Sequence, residues 1–342
     1  MKVIRLSLVG FGNVGRALVE LLAEKQETLR SEYGFTTLVS GIATRQHGMA
    51  IDENGIDIEK ALQISRSGGS LNPLSSQPIL ETTDDFIHAL PADVLFENSP
   101  VDHHHGQPAI NHLRTALECG MHAITANKGA VVYGFDELTT LAQKNQRRFL
   151  FESTVMDGAP IFSLFRTPLP ASELISFYGI LNSCTNLLLE RMESGDSLEA
   201  AVAYGQSIGI TETDPSADID GWDAAIKVAA LVKVLMGKTL TPPDVQREGI
   251  RNISPAMVTE ALAVGERWKL VCSAQLIDGV LKAQVAPQRV NSLSPLYSIN
   301  GTSSFVQFQL DTLPGLGILE SNPGPKTTAY GLLADLINAL KG

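Results

Sequence analysis

An α/β protein with a doubly wound N-terminal domain and a second α/β domain is what this sequence predicts, and three observations carry that reading. Val3–Val9, a short apolar strand pattern, runs directly into Gly10-Phe11-Gly12-Asn13-Val14-Gly15 and then into a helical pattern marked by Ala17, Leu18, Leu21 and Leu22. Strand and helix patterns then alternate: ADVLFE at 92–97, an amphipathic stretch at 108–119, MHAIT at 121–125 and a helix at 135–146. Past residue 150 the pattern changes to segments such as FVQFQL at 305–310, which alternates with period two, and an apolar helix after Trp222.

The 342 residues allow two domains, and 44% hydrophobic against 18% charged residues describes a packed chain. A net charge of −11 argues against a nucleic-acid backbone or an acidic membrane surface as partner. Cys119, Cys184 and Cys272 are scattered, with no CxxC or metal spacing, which fits a reducing cytoplasm. The opening apolar run is broken by glycine too soon for a signal peptide, and no stretch reaches the length of a membrane span. A soluble cytoplasmic protein is expected.

Strand, tight glycine turn and helix in succession are the context that G-x-G-x-x-G needs to bind a dinucleotide. Gly10 permits the turn, Gly12 lets a pyrophosphate approach the backbone and Gly15 lets helix and strand pack closely. The helix amides then hold the phosphates. A second strand at 37–43 ends in Thr44-Arg45, where an acid for the ribose hydroxyls is usual in NAD enzymes. Arg45 instead suits a 2′-phosphate, so NADP(H) is favoured and NAD left open; a solvated loop arginine is the plain alternative. The polar run 46–74, with SRSGGS inside it, reads as an excursion outside the core.

Asn98-Ser99-Pro100 follows the strand at 92–97 and so lies where a nicotinamide ring would sit, making Ser99 and Pro100 cofactor contacts. His103, His104 and His105 read as solvated loop residues, because adjacent histidines do not converge on one ion. Lys128, in Ala126-Asn127-Lys128-Gly129 at the next strand end, faces the cofactor crevice, where its charge would polarise a carbonyl or steady a carboxylate; hydrogen bonding to loop carbonyls is the alternative. A domain boundary is expected near residue 150, giving a dinucleotide-binding domain over 1–150 and a substrate domain over 151–324. Glu152–Pro160 is rich in turn residues, carbonyls and carboxylates. Leu174–Leu181 reads as a strand, Asn182–Asn186 as the cap of a helix starting near Leu187, and Gly315-Leu316-Gly317 as part of a turn region. The closing helix is expected to pack back on the first domain.

The chemistry centres on IGITETDPSADIDGWDAAIKVAALVKVLM, residues 208–236. Its first half is polar and poor in helix formers, and carries Glu212 and Asp218. Its second half is a helix on which Asp223 and Lys227, four apart, share one face. Desolvation of such a lysine lowers its pKa toward the range of proton exchange. An ordinary surface ion pair is the plain alternative.

With these residues in view, the chain resembles the homoserine dehydrogenases along nearly its whole length. The resemblance rests on the glycine fingerprint, Asn98-Ser99-Pro100, TANKG, FESTVMDGAP, GILNSCTN, GITETDPSADIDGWDAAIK and NPGPKTTAYG. It implies a Rossmann-type N-terminal domain, a second domain that binds substrate and forms a homodimer, and an active site in the cleft between the two. It implies interconversion of aspartate 4-semialdehyde and homoserine with NAD(P)(H). In this likeness Lys227 is the proton donor, Lys128 flanks the reacting groups, Asp223 orients Lys227, and Glu212 and Asp218 hold the substrate amino end. Glu152, Val155, Asp157 and Ala159 fall where the family places a sodium or similar monovalent cation. Ser183 and Cys184 replace a common glycine-threonine pair and Ile210 a common tyrosine, at positions that border the substrate in the family. Cys184, with no histidine nearby in sequence, reads as a small polar wall residue. No residues follow Gly342 for a regulatory domain, so effector inhibition of that type is not expected. Competing readings are a related amino-acid-linked dehydrogenase and an NADP(H)-sensing protein without turnover.

Overall fold

Two compact units make up the chain: residues 1–160 together with 324–342, and residues 161–323. The structure, a computed structural model, describes residues 1–78, 80–211 and 213–341, so Glu212 lies outside the described residues.

In the first unit the described strands are β1 (Lys2–Val9), β2 (Phe35–Ala43), β3 (Met49–Ile51), β4 (Val94–Glu97), β5 (His122–Thr125) and β6 (Phe149–Leu150). They form a sheet in the order β3-β2-β1-β4-β5-β6, with β3 antiparallel on β2 and every other pairing parallel. The strand order reverses between β1 and β4, the position at which open parallel sheets take their ligands. Helix α1 (Asn13–Tyr33) returns the chain from β1 to β2 and buries Leu18, Leu21, Leu22 and Leu29. Each of these side chains contributes about 1.5–3 kcal/mol. Val94 and Phe96 of β4 join the same core, while the equally buried Leu95 points to the opposite face, as the period of a strand requires. Helix α4 (Ala109–Glu118) lies on β4 and β5 and packs between α3 (Thr83–Ala89) and α5 (Lys128–Lys144). Pro325–Leu340 is a closing helix, α12 below, which packs along α1 and places Leu332, Leu333, Leu336 and Ala339 in its core.

Two expectations for this unit are corrected. The run 46–74 is not an excursion: it holds β3, α2 (Ile58–Ser67) and a short turn at Asn72–Leu74, and it buries Ala50, Ile51, Ile56, Ala61 and Leu71. Ile58, Ala61, Leu62 and Ser65 stand at helical spacing in α2, a period that the polar residues around it mask. Helix α5 begins at Lys128, seven residues before the expected start, because Asn127 caps it by accepting from the Gly129 amide at 3.1 Å.

The second unit holds β7 (Leu174–Ile180), β8 (Gln246–Arg247), β9 (Glu266–Ile277), β10 (Val280–Asn291), β11 (Ser304–Leu310) and β12 (Leu316–Glu320), ordered β12-β11-β7-β9-β10-β8. The expected turn at 315–317 is thus the start of an edge strand: Gly317 pairs with Gln307, and the Phe305 ring lies 3.0 Å from where a Cβ on Gly317 would stand. The remaining helices are α6 (Phe162–Arg166), α7 (Ser183–Glu193), α8 (Leu198–Ser207), α9 (Ser216–Ile219), α10 (Trp222–Leu235) and α11 (Pro255–Ala263), which leaves α12 as the closing helix. A single helical turn, α9, therefore lies within the polar run that is poor in helix formers. Helix α7 starts four residues before the expected position. Helix α10 is apolar nearly all round, and Ala224, Ala225, Ile226 and Val228 through Val232 are fully buried.

Lys269 of β9 is also fully buried. Its Nζ donates to Asn186 Oδ1 at 2.8 Å and to the Ile299 carbonyl at 2.6 Å, while the Asn186 amide donates to Ile299 and Gly301. Burial, then the nearby Arg267 charge, lowers its pKa from 10.5 to about 8. The unfolded chain therefore holds this proton to higher pH than the folded one, and the stability contributed here rises as pH goes from 8 to 10.5. Lys269→Met strands buried acceptors at about 1–3 kcal/mol each and lowers the urea midpoint. The gap between native and variant chains widens across that pH window; a gap constant with pH would contradict the assignment.

Candidate active site

At the end of β1 the Gly10 amide donates to the Ala43 carbonyl at 2.9 Å, and its φ of +94° is one that only glycine adopts without strain. A Cβ there would overlap the Asn98 carbonyl, and one on Gly15 would sit 2.7 Å from the Gly10 carbonyl. Gly12 differs: a Cβ on it would meet nothing within 4 Å. Gly12 is the N-cap of α1 and supplies no side chain to the first turn, and Asn13 is committed to Arg16 at 2.7 Å. The amide end of a long helix thus faces open space, which is what a phosphate requires. Phe11 is buried in the core and Val14 packs against it, so these two reach a ligand through backbone only. Ser65 donates to the Phe11 carbonyl at 3.4 Å and accepts from Arg16 at 3.3 Å, bringing the SRSGGS stretch beside the glycine turn. Arg45 is exposed on a tight turn in which Thr44 Oγ1 accepts from the His47 amide at 2.8 Å.

The loops after β4 and β5 are tied together by Asn127, whose amide donates to the Ser99 carbonyl at 3.1 Å and to that of Pro100 at 3.4 Å. Beneath them Glu97, fully buried, accepts from the Ser99 amide and from Thr125 and lies 3.4 Å from His112. The amide atoms of Asn98 and the Ser99 hydroxyl are buried and have no protein partner. Buried polar groups of this kind imply a ligand that completes them. Sequence reasoning placed Asn98 in the nicotinamide loop without naming it a contact and gave no role to Asn127; asparagine directly after a strand was the available signal. Lys128, half-buried, is the first residue of α5. A cation there opposes the helix dipole at about 0.3–1 kcal/mol, a local conflict of the sort found where a side chain serves a ligand.

The second unit assembles the other group of residues around Asn182, which is 3% exposed and caps α7 by accepting from the Thr185 amide at 2.7 Å. The Asn182 amide donates to Asp218 Oδ1 at 2.6 Å and to Asp223 Oδ2 at 2.9 Å. Lys227 Nζ lies 3.1 Å from Asp223 Oδ2 and donates to the Leu181 carbonyl at 2.7 Å. Asp223 and Lys227 keep 15% and 14% of their side chains exposed, so the pair is neither a solvated surface bridge nor a sealed one. Burial, then the Asp223 charge, holds the Asp218 carboxyl above the usual carboxylate range; Asn182 and Lys227 oppose that rise. Cys184 is buried, 3.3 Å from Thr211 Oγ1, and burial with the Asp218 charge pushes its thiol up to about 12. A thiol this hard to ionise is no nucleophile. Ser183 and Ile210 are half-buried. The other described acids of the run are used elsewhere: Asp220 pairs with Arg251 at 2.8 Å, and Asp214 accepts from the Ser216 amide. Asn182 is a further residue that sequence reasoning passed over.

Comparison with known proteins decides the family. Residues 160–337 match the family described as homoserine dehydrogenase, and residues 10–152 match homoserine dehydrogenase, NAD binding domain. The chain belongs to the homoserine dehydrogenase family. Among its relatives, an NAD(+)-dependent homoserine dehydrogenase of Pseudomonas canavaninivorans is 34% identical, over 98% of this chain and 95% of that one. A homoserine dehydrogenase of Methanocaldococcus jannaschii is 33% identical over 97% of each. Among solved structures, a hyperthermophilic archaeal homoserine dehydrogenase in complex with NADPH superposes with a TM-score of 0.83 at 29% identity, covering 99% of this chain and 98% of that one. A homoserine dehydrogenase from Thiobacillus denitrificans gives 0.81 at 25% identity, over 99% of this chain and 73% of that one. As a member of this family the chain is an NAD(P)-dependent oxidoreductase with a Rossmann-type domain. Among the described residues no helix is long and apolar enough to cross a membrane.

The glycine turn yields a paired test. Gly12→Ala is expected to lower stability by less than about 1 kcal/mol, alanine being the poorer N-cap, and to raise the dissociation constant for the reduced dinucleotide about tenfold or more in a fluorescence titration, because its methyl fills the phosphate approach. Gly10→Ala is expected to lower stability by more than 1 kcal/mol through strain and overlap.

Proposed function

We propose that this protein interconverts L-aspartate 4-semialdehyde and L-homoserine with NADP(H), and that Lys227 gives and takes the proton. The observation that carries the reading is the Lys227–Asp223–Asn182–Asp218 network, which pairs one ammonium with two partly desolvated carboxylates. When bound, the nicotinamide exchanges a hydride with the substrate carbon. In reduction, Lys227 donates a proton to the carbonyl oxygen; in oxidation, it takes the proton from the hydroxyl. Asp223 orients its Nζ and stabilises the charged form. Asp218, with Glu212, binds the ammonium of the amino-acid substrate. Lys128 is assigned to steady the reacting groups, and Ser183 and Cys184 to wall the substrate.

The cofactor fits the residues present: the open amide end of α1 for the phosphates, and the unpartnered amide of Asn98 with the Ser99 hydroxyl for the nicotinamide end. Arg45, projecting from its turn, is assigned to the 2′-phosphate of NADP. One relative is named for NAD(+) and one structure holds NADPH, so this preference is a property to be measured in this chain. A monovalent cation is assigned to Glu152, Val155, Asp157 and Ala159. The donors are hard oxygens, and Glu152, 2% exposed, is bonded through its amide to the fully buried carboxylate of Asp335 at 2.7 Å. A cation would offset the cost of burying acids together. The Asp157 carboxylate also accepts from Thr328 at 2.5 Å. A homodimer is the assembly the family likeness supports.

Homoserine-dependent reduction of NADP⁺ tests the reading. Lys227→Ala is expected to lower kcat by about 10²–10⁴-fold with cofactor affinity retained; undiminished turnover would remove the assigned acid–base group. Arg45→Ala is expected to raise KM for NADPH about tenfold and leave that for NADH unchanged, since it loses a charge-assisted contact made only to the phosphate.

A further inference from the structure

We infer that Asn182 is a positioning residue of the reaction, its side-chain amide setting the spacing of the Asp218 and Asp223 carboxylates while the preceding carbonyl fixes the Lys227 ammonium. The inference rests on the roles proposed above for Lys227 and Asp218. It follows from how fully the capacity of Asn182 is used. Its Oδ1 accepts from the Thr185 amide at 2.7 Å and from Thr185 Oγ1 at 2.9 Å, which anchors it to the first turn of α7. Both protons of its Nδ2 go to carboxylates, at 2.6 Å to Asp218 and 2.9 Å to Asp223. The Leu181 carbonyl, one peptide earlier, accepts from Lys227 at 2.7 Å. Two consecutive residues of one backbone therefore hold three charged groups that are 36, 41 and 46 positions away in the chain. The charges converge on α7 without touching it by charge.

No other residue does all of this. Serine caps a helix as well as asparagine but has a single donor; aspartate caps it with no donor and adds a third negative charge. Among the described residues, the groups facing Asp218 are the Asn182 amide, Asp223 and Lys227 from α10 and the Cys184 thiol from α7, with Thr211 behind the thiol. Asp223 and burial favour the neutral form of Asp218, while the Asn182 amide and Lys227 favour the anion that a substrate ammonium needs. Loss of the amide leaves Asp218 less ionised and free to move away from Asp223.

Asn182→Ser tests this, because it keeps the cap and deletes the bridge. The expected result is a folded protein whose KM for homoserine rises about tenfold, with a smaller fall in kcat. The acid limb of kcat/KM also shifts to higher pH, which a loss of packing alone would not produce. An unchanged KM and acid limb in the folded variant would overturn the inference. Should Asn182→Ser fail to fold, Asn182→Asp serves: the same shift, larger, is expected, and its absence is equally fatal. Lys227→Ala measured in parallel separates the two levels. Turnover that survives in Lys227→Ala defeats the underlying reading, whereas an inert Lys227→Ala beside an unaffected Asn182→Ser defeats only the role of Asn182.

Discussion

Charge balance at the head of α10 is the constraint on which the second unit turns. Asp218 and Asp223 bring two carboxylates to one partly dry place, and Lys227 supplies one cation. Holding an uncompensated negative charge out of water is costly, and the raised pKa of Asp218 registers that cost. One more positive group would complete the arrangement among the described residues, and under the function proposed above the ammonium of the amino-acid substrate supplies it. On that proposal, the raised pKa of Asp218 in the free protein and the preference for an amino-bearing substrate have one cause. A 2-oxo or simple aldehyde lacking the amino group would leave the imbalance in place.

That strain is borne by a helix set deep in the core. From Ala224 to Val232, Lys227 is the one residue of α10 that is not fully buried, so the helix cannot rotate or slide without opening the core. Gly221, in the left-handed conformation at φ +81°, turns the chain sharply from α9 into α10 and delivers Asp218 and Asp223 to the same side. Opposite them, α7 is fixed by its own cap and by Asn186, which the buried Lys269 holds to β9.

How much of this was legible follows from the range of the interactions. The glycine turn could be read because strand, turn and helix are contiguous, and the Asp223–Lys227 pair because helical spacing puts i and i+4 on one face. Asn182 escaped because its bonds to Asp218 and Asp223 span 36 and 41 residues and leave no periodic trace. The start of α7 was misplaced because Ser183, Cys184, Thr185 and Asn186 are weak helix formers that read as a cap. Lys128 hid the start of α5 in the same way, being a cation where acids are usual. In the run 46–74 the helical spacing of Ile58, Ala61 and Leu62 was legible, but the polar and glycine-rich residues on either side outweigh it in composition.

The return of α12 to the first unit bears on how the protein is made. Leu332, Leu333, Leu336 and Ala339 share a core with Leu18 and Leu22, so the dinucleotide-binding unit remains unfinished until more than three hundred residues have left the ribosome. Through that interval the flank of α1 that α12 will cover is bare, and the intervening unit has time to fold first.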